Sequence, residues 1–100
     1  MNADVSASDV YRHRGNLVTR DIAGETVVVP VGAKLTDLQQ AFSLDATGAF
    51  VWHRLDGRTS LEQIREDLSH SFRVRRREAW RDLTELVEAL LQAGLIERAA

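Results

Sequence analysis

The chain opens with a polar segment that shows no hydrophobic periodicity. Residues 1–15 read MNADVSASDVYRHRG, and Tyr11 is the only large anchor among them. We therefore predict a flexible N-terminal tail over residues 1–15 and one folded domain over residues 16–100, since a chain of this length supports a single domain.

Two β-branched runs follow the polar segment and predict a hairpin. They read NLVTRDI and ETVVVPV, and a short AGE segment joins them with Gly24 in the turn. Pro30 has no N–H to donate, so the second strand is expected to approach an edge or its own end there. Residues 32–40 fit a loop or a short helix, and residues 38–44 also alternate as a strand; we predict a loop followed by a short strand.

The second half of the chain carries helical periodicity. Asp45 is the predicted N-cap of a first helix, which Gly57 closes as a left-handed residue. Thr59 then begins a capping box with Glu62 that opens a second helix. The apolar face of this second helix consists of Leu61, Ile64, Leu68 and Phe72.

A third helix is predicted from about residue 76 to residue 93. Its buried stripe consists of Ala79, Leu83, Leu86, Val87, Leu90 and Leu91. Gly94 ends the helix in a Schellman-like closure that returns Leu95 and Ile96 to the core. The order of elements predicts an α+β fold similar to a winged helix-turn-helix, with an N-terminal three-stranded antiparallel sheet followed by three α-helices.

The first helix contains a glycine and a tryptophan that we interpret as packing residues. Leu44, Gly48, Val51 and Leu55 recur at helical spacing and form one face. Because Gly48 has no Cβ, another element can approach the helix closely, at about 1 kcal/mol of lost helix propensity. Trp52 lies beside this face and is expected to fill the space under the sheet.

Composition narrows the range of functions. The chain has 13 basic and 15 acidic residues and a net charge of -2, which argues against a general nucleic-acid binder. It has no cysteine, so disulfides and thiolate metal sites are excluded. No apolar run approaches the roughly 20 residues of a membrane span, and the N-terminus lacks the apolar core of a signal peptide. We therefore expect a cytoplasmic protein without a membrane partner.

No set of residues in the sequence indicates catalysis. His13, His53 and His70 are far apart, and none has a second histidine three or four residues away, as a helical metal pair would. The sequence also lacks a phosphate-binding loop and a nucleophile motif. We predict a protein that is not an enzyme and that uses no cofactor or metal ion.

An arginine cluster precedes the third helix. It consists of Arg73, Arg75, Arg76 and Arg77. Recognition residues of a winged helix often lie there, which keeps a DNA-binding regulator as an alternative. The carboxylates on the outward face of the helix, at Asp82, Glu85 and Glu88, would however repel phosphates. Cations at an uncapped helix N-terminus are mildly unfavourable, so we predict that an acidic partner docks there, with plain solvation of the arginines as an equal alternative.

The segment FSLDATGAFVWHRLDGRTSLEQIREDL resembles the PqqD-like family. The family pattern is matched at Leu44, Asp45, Thr47, Gly48, Ala49, Val51, Trp52, Leu55, Asp56 and Gly57. The VVVPV strand and the closing segment DLTELVEALLQAGLIE also fit, so the resemblance covers roughly residues 17–97. Asp45 replaces the usual Asn, Phe50 replaces a frequent polar residue, and AGLIE replaces a Gly-Trp-Leu-like end. The chain thus resembles members that serve a peptide pathway other than pyrroloquinoline quinone synthesis.

The resemblance implies a peptide-recognition domain, known as a RiPP recognition element. Such a domain binds the leader segment of a ribosomally synthesised precursor peptide and presents it to a modifying enzyme, here expected to be a radical-SAM enzyme. The leader adds as a strand beside the third strand, in a groove that the third helix closes. The implied peptide-binding residues are Leu38, Gln39, Gln40, Ala41, Phe42, Ser43, Leu44, Arg76, Trp80, Leu83, Thr84 and Val87.

Two further expectations concern the surface. Trp80 lies one position off the buried stripe, where it serves as a groove-rim anchor for the leader or covers the edge of the core. Phe50 is expected to contact the modifying enzyme or a second copy of the chain, or else to fill a gap in the core. The other predicted partner contacts are Arg73, Arg75 and Arg77. The oligomeric state stays open, with a homodimer as one alternative.

Overall fold

The computed structural model describes residues 5–15, 17–30 and 42–99 of the chain. In chain order its elements are β1 (Val10–His13), β2 (Leu17–Ile22), β3 (Glu25–Pro30), β4 (Phe42–Leu44), α1 (Ala46–Arg54), β5 (Asp56–Ser60), α2 (Leu61–Phe72), α3 (Arg76–Gln92) and β6 (Ile96–Arg98). The strands form two three-stranded sheets with the orders β5-β1-β6 and β2-β3-β4. The α+β class is therefore confirmed, whereas the prediction of a single sheet omitted the β5-β1-β6 sheet.

The β2-β3-β4 sheet begins with the predicted hairpin. β2 and β3 pair antiparallel from Leu17 opposite Pro30 to Ile22 opposite Glu25. The turn residue Gly24 has a φ of 85°, and the residue before it also has a positive φ. Left-handed conformations at both turn positions match the right-handed twist of the two strands.

β4 extends this sheet on the far side of β3. Val28 pairs with Phe42, and alternation along the strand directs Leu44, which is 2% exposed, into the core. The predicted third strand is confirmed where the structure describes it. The part of residues 38–44 before Phe42, and the predicted loop that precedes it, lie outside the described residues.

The prediction of a structureless tail is wrong for residues 10–13, which form the central strand of the second sheet. β1 pairs antiparallel with β5 on one side and with β6 on the other, and Tyr11 is 2% exposed. The run VYRH gave no signal because its apolar residues are adjacent and do not alternate. The pairing partners of β1 lie far along the chain, so the strand forms through tertiary contacts.

Asp9 anchors the segment that leads into β1. Its carboxylate accepts hydrogen bonds from the Ser6 amide at 2.9 Å and from the Tyr11 hydroxyl at 3.1 Å, and it forms an ion pair with Arg98 at 3.2 Å. Burial by itself raises the pKa of this carboxyl group. The hydrogen bonds and the guanidinium outweigh burial, so the pKa of Asp9 lies below its usual value.

α1 begins as predicted and ends earlier. The Asp45 carboxylate accepts a hydrogen bond from the Gly48 amide at 2.8 Å, which makes Asp45 the N-cap. The helix ends at Arg54, and the next residue, Leu55, leaves the helical conformation with its side chain fully buried. Gly57, the predicted helix terminator, lies in β5 instead.

The N-cap of α2 is Ser60, one residue after the predicted Thr59. Ser60 Oγ accepts a hydrogen bond from the Gln63 amide at 3.2 Å. The Thr59 hydroxyl donates to the Asp56 carboxylate at 3.1 Å and therefore belongs to the turn before the helix. The capping pattern is thus Ser-Leu-Glu-Gln, with Gln63 rather than Glu62 at the third helical position.

α3 begins without a side-chain cap and ends in the predicted Schellman closure. Arg75 occupies the N-cap position and makes no capping hydrogen bond. At the other end, Gly94 has a φ of 75°, and its amide donates to the Leu91 carbonyl. The Leu95 amide donates to the Leu90 carbonyl, and both leucine side chains are buried.

Trp52 connects the two sheets from the centre of α1. It is 1% exposed, and its indole N–H donates to Thr19 Oγ1 of β2 at 3.3 Å. The His13 ring of β1 stacks on it with 3.7 Å between the ring centroids. Gly48 faces the end of β4 rather than a distant element, since a Cβ there would lie 3.2 Å from the Leu44 side chain.

The position of the α2 cap can be tested with two neighbouring substitutions. We expect Ser60→Ala to lower the free energy of unfolding by about 1 kcal/mol, because the Gln63 amide loses its acceptor. Thr59→Ala removes only an exposed side-chain hydrogen bond and is expected to have about half that effect or less. Urea denaturation of both variants gives the comparison. A larger effect at Thr59 would show that Thr59, as predicted from the sequence, is the N-cap of α2.

The carboxylate of Asp9 is expected to make stability depend on pH. Because its folded-state pKa lies below its unfolded value, its contribution is present above about pH 4 and is lost as the pH falls through the folded-state pKa. Asp9→Asn should therefore destabilise the protein at neutral pH and lose this effect in acid. Denaturation curves across that range measure the difference, with the exposed Asp21→Asn as control. A destabilisation by Asp9→Asn that is constant with pH would contradict the assignment.

Candidate functional site

The free edge of β4 is the first component of the site. Within the described residues, β4 pairs only with β3, so the backbone groups on its other side have no strand partner. The buried Leu44 and half-buried Phe42 hold the strand against the core. Ser43 points to the opposite, exposed face, where its hydroxyl donates to the Glu25 carboxylate at 2.8 Å. A strand held in this way can pair with an extended segment of another chain.

A cleft of about 450 Å³ lies between the start of α1, which directly follows β4, and the middle of α3. Its lining residues are Asp45, Thr47, Gly48, Asp82, Glu85 and Leu86. Gly48 and Leu86 provide an apolar floor, and the carboxylates stand around it. The cleft therefore combines an apolar surface with a negatively charged rim.

The periodicity of α3 explains which of its residues reach the cleft. The core stripe of this helix contains Ala79, Leu83, Val87 and Leu90, all fully buried. At 100° per residue, Asp82 and Leu86 flank the stripe on one side, whereas Trp80 and Thr84 flank it on the other. The first flank faces the start of α1, as the lining of the cleft shows.

The predicted wall residues of α3 lie in the core or toward α2. Leu83 and Val87 are in the core. Arg76 pairs with Glu66 of α2 at 2.6 Å, and the half-buried Trp80 has the Arg65 guanidinium 5.8 Å from its ring centroid. Thr84 lies on the same flank as Trp80, and its hydroxyl donates to the Arg81 carbonyl one turn earlier. The Trp80 side of α3 therefore faces α2, and the described geometry does not place it opposite β4.

Sequence reasoning missed the residues of α3 that line the cleft. Asp82 and Leu86 are four residues apart beside the core stripe, a spacing that the sequence shows. The stripe alone does not say which flank faces the strand edge, because that depends on how α3 is oriented over the sheet. Of the predicted strand positions, Phe42, Ser43 and Leu44 form β4 and directly precede Asp45 of the cleft, while Leu38, Gln39, Gln40 and Ala41 lie outside the described residues.

The carboxylates of the cleft differ in how they are engaged. Asp45 caps α1 through the Gly48 amide. Asp82 has one distant ion-pair partner, the exposed Arg81, at 3.8 Å. Glu85 makes no ion pair or hydrogen bond with any described residue, and no described arginine lines the cleft. The negative charge at Glu85 is thus free to interact with a ligand.

A second surface, here called the basic patch, lies where α2 meets α3. It consists of Phe50, Phe72, Arg73, Arg75 and Arg77. The two phenylalanine rings pack edge to face at 5.2 Å, and Phe72 remains 37% exposed. The three arginines are exposed and form no ion pair with the described residues. Phe50 is half-buried, with the Arg54 guanidinium stacked 3.6 Å above its ring.

The described ranges contain no cluster of three or more His, Asp or Glu side chains that could hold a metal ion. No helix in the described part of the chain is long and apolar enough to span a membrane. The candidate surfaces among the described residues are the acidic cleft and the basic patch, in which Phe72 is the exposed aromatic ring.

Comparisons with known proteins agree with this architecture. Residues 25–96 match the family described as coenzyme PQQ synthesis protein D (PqqD). A solved structure described as TbiB1 in complex with the TbiA(beta) leader peptide is similar to this chain, with a TM-score of 0.68 and 27% sequence identity over 86% of this chain and 94% of that one. No curated protein matches. Since the family match extends over well more than half of the sequence, the chain belongs to the PqqD family.

Proposed function

We propose that this protein is a RiPP recognition element. It binds the leader segment of a ribosomally synthesised precursor peptide by strand addition to β4 and presents the peptide to a modifying enzyme. The observation that carries this proposal is the edge of β4 that has no strand partner among the described residues, followed along the chain by the cleft between the start of α1 and α3. TbiB1, which shares the fold, is described in complex with a leader peptide.

Strand addition suits the geometry of this edge. Main-chain hydrogen bonds to β4 would orient an extended peptide, and each would contribute about 1 kcal/mol net. Side chains on one face of the added strand would point toward α3, because side chains alternate along a strand. Peptide affinity would then depend on both the backbone and the lining of the cleft.

The proposed contact set follows from this arrangement. Phe42, Ser43 and Leu44 supply the strand edge, and Asp82, Glu85 and Leu86 supply the facing wall. Contacts from the strand before Phe42 and from Trp80 remain predictions. A peptide that follows β4 past Asp82 and Leu86 would leave Trp80 on the opposite flank of α3.

The modifying enzyme, and not this protein, would carry out the chemical modification of the precursor peptide. The resemblance to PqqD-like proteins leads us to propose a radical-SAM enzyme as the modifying enzyme and the cytoplasm as the compartment. The basic patch is the proposed docking surface for this enzyme, because its unpaired arginines and the exposed Phe72 fit an acidic surface with an apolar contact point. It is formed by the α2–α3 junction and Phe50, whereas the cleft is lined by the first turn of α1 and the middle of α3.

Backbone methylation of a bound peptide tests strand addition. Peptides selected by display on the full chain should lose affinity about fivefold or more when an N–H that faces β4 is methylated, and little at the alternate positions. Amide hydrogen exchange at residues 42–44 should slow on binding. Losses without alternation, or unchanged exchange at these residues, would contradict binding by strand addition.

The docking surface can be tested without altering the cleft. We expect Arg75→Ser with Arg77→Ser to weaken association with the modifying enzyme about tenfold at low salt and less at high salt, because the contact is electrostatic. Leader-peptide affinity should stay unchanged. Titration calorimetry gives both values.

The matched control changes the same number of exposed arginines elsewhere, as Arg20→Ser with Arg58→Ser. Equal losses in both double variants would contradict a specific docking surface. Binding of a DNA duplex that the wild-type protein shows and the Arg75/Arg77 double variant lacks would instead favour the DNA-binding alternative.

A further inference from the structure

The cleft beside β4 concentrates negative charge at one point of the proposed peptide path. Asp45, Asp82 and Glu85 face it from two elements, and the Glu85 carboxylate has no partner among the described residues. The arginines of the basic patch lie in the first turn of α3 or before it, whereas the cleft lies at the middle of the helix. A peptide side chain that enters the cleft would therefore meet carboxylates and no cation among the described lining residues, while the exposed Arg81 lies 3.8 Å from the Asp82 carboxylate.

The floor of the cleft favours a long side chain. Gly48 presents no side chain of its own, and the half-buried Leu86 presents an apolar surface beside it. An aliphatic stem can lie on this floor while its charged end reaches the rim, as lysine and arginine side chains do at the edges of apolar surfaces. An aspartate or glutamate in the same position would meet like charge.

The register of strand addition directs such a side chain into the cleft. Leu44 and Phe42 point inward from β4, and the neighbouring positions of an added strand point the same way. Only every second residue of the peptide takes this direction. An inward position beside the end of β4 would lie nearest the cleft, because Asp45 and Gly48, which follow Leu44, line it.

We propose that the cleft selects leader peptides that carry a lysine or arginine at one inward-facing position of the bound strand, with Glu85 as the main specificity-determining residue and Asp82 beside it. This inference rests on the proposed function and adds the chemical class of its peptide ligand. Asp45 contributes less, because its carboxylate already holds the Gly48 amide at the start of α1.

Display selection tests the proposal even while the natural leader is unidentified. Short random peptides would be selected on the full chain in three forms: wild type, Glu85→Gln and Glu88→Gln. Glu88 is the matched control, since it lies one turn along α3, outside the lining of the cleft. We expect wild type and Glu88→Gln to enrich peptides with one fixed lysine or arginine, and Glu85→Gln to lose this preference. Glu85→Lys should reverse it toward aspartate or glutamate.

A measured affinity completes the test. Replacing the selected lysine by norleucine should weaken binding to the wild-type protein about tenfold and binding to Glu85→Gln hardly at all. Enriched peptides without a cation, or the same cation preference in Glu85→Gln, would overturn this inference and leave strand addition standing. Failure to enrich any peptide that slows hydrogen exchange in β4 would overturn the proposed function itself.

Discussion

The junction between β4 and α1 is the contact on which the candidate site depends. Leu44 ends the strand in the core, and Asp45 turns the chain and accepts the Gly48 amide. A Cβ on Gly48 would approach the Leu44 side chain to 3.2 Å and the Asp45 carboxylate to 3.3 Å, so any other residue would force Leu44 to shift. The end of β4 and the first turn of α1 are therefore closely packed, and the middle of α3 faces this turn. The glycine, which is unfavourable in a short helix, is favoured by this close return of the chain.

Local features of the fold could be predicted from the sequence because their physical causes lie within a few residues. The Asp45 cap, the hairpin turn at Gly24 and the closure at Gly94 each depend on short-range hydrogen bonds or backbone conformation. Even so, the predicted start of α2 differs from the observed start by one residue. Two adjacent hydroxyl residues can both cap a helix, and burial of Leu61 in the first turn selects Ser60.

Long-range features could not be predicted in the same way. β1 is a strand because its neighbours are β5 and the C-terminal β6, and VYRH alone contains no alternation that reveals them. The orientation of α3 likewise depends on elements that are distant in the sequence. Its apolar stripe is visible in the sequence, yet the choice between the Trp80 flank and the Leu86 flank depends on where α2 and β4 lie around the helix. The Arg76–Glu66 ion pair holds the N-terminal end of α3 against α2, on the side of the Trp80 flank. The Leu86 flank is therefore the one that lines the cleft.

A net charge of -2 conceals two surfaces of opposite sign. The basic patch and the acidic cleft share α3, with arginines before and within its first turn and carboxylates on its middle turns. Under the proposed function, such separation would let one small domain hold a cationic peptide and an acidic protein together without competition between them. It also opposes DNA binding along α3, since phosphates drawn to the arginines would meet Asp82 and Glu85 one or two turns later.

The described part of β4 indicates how selectivity would arise. Its three residues, Phe42–Leu44, offer few main-chain hydrogen bonds, and each would contribute only about 1 kcal/mol net. Association of two molecules costs several times that amount, on the order of 4–15 kcal/mol. Backbone pairing to these three residues would therefore orient a peptide more than it retains one. In the proposed complex, further affinity and the choice between sequences would come from side chains. At the inward-facing positions, those side chains would meet Gly48, Leu86 and the surrounding carboxylates.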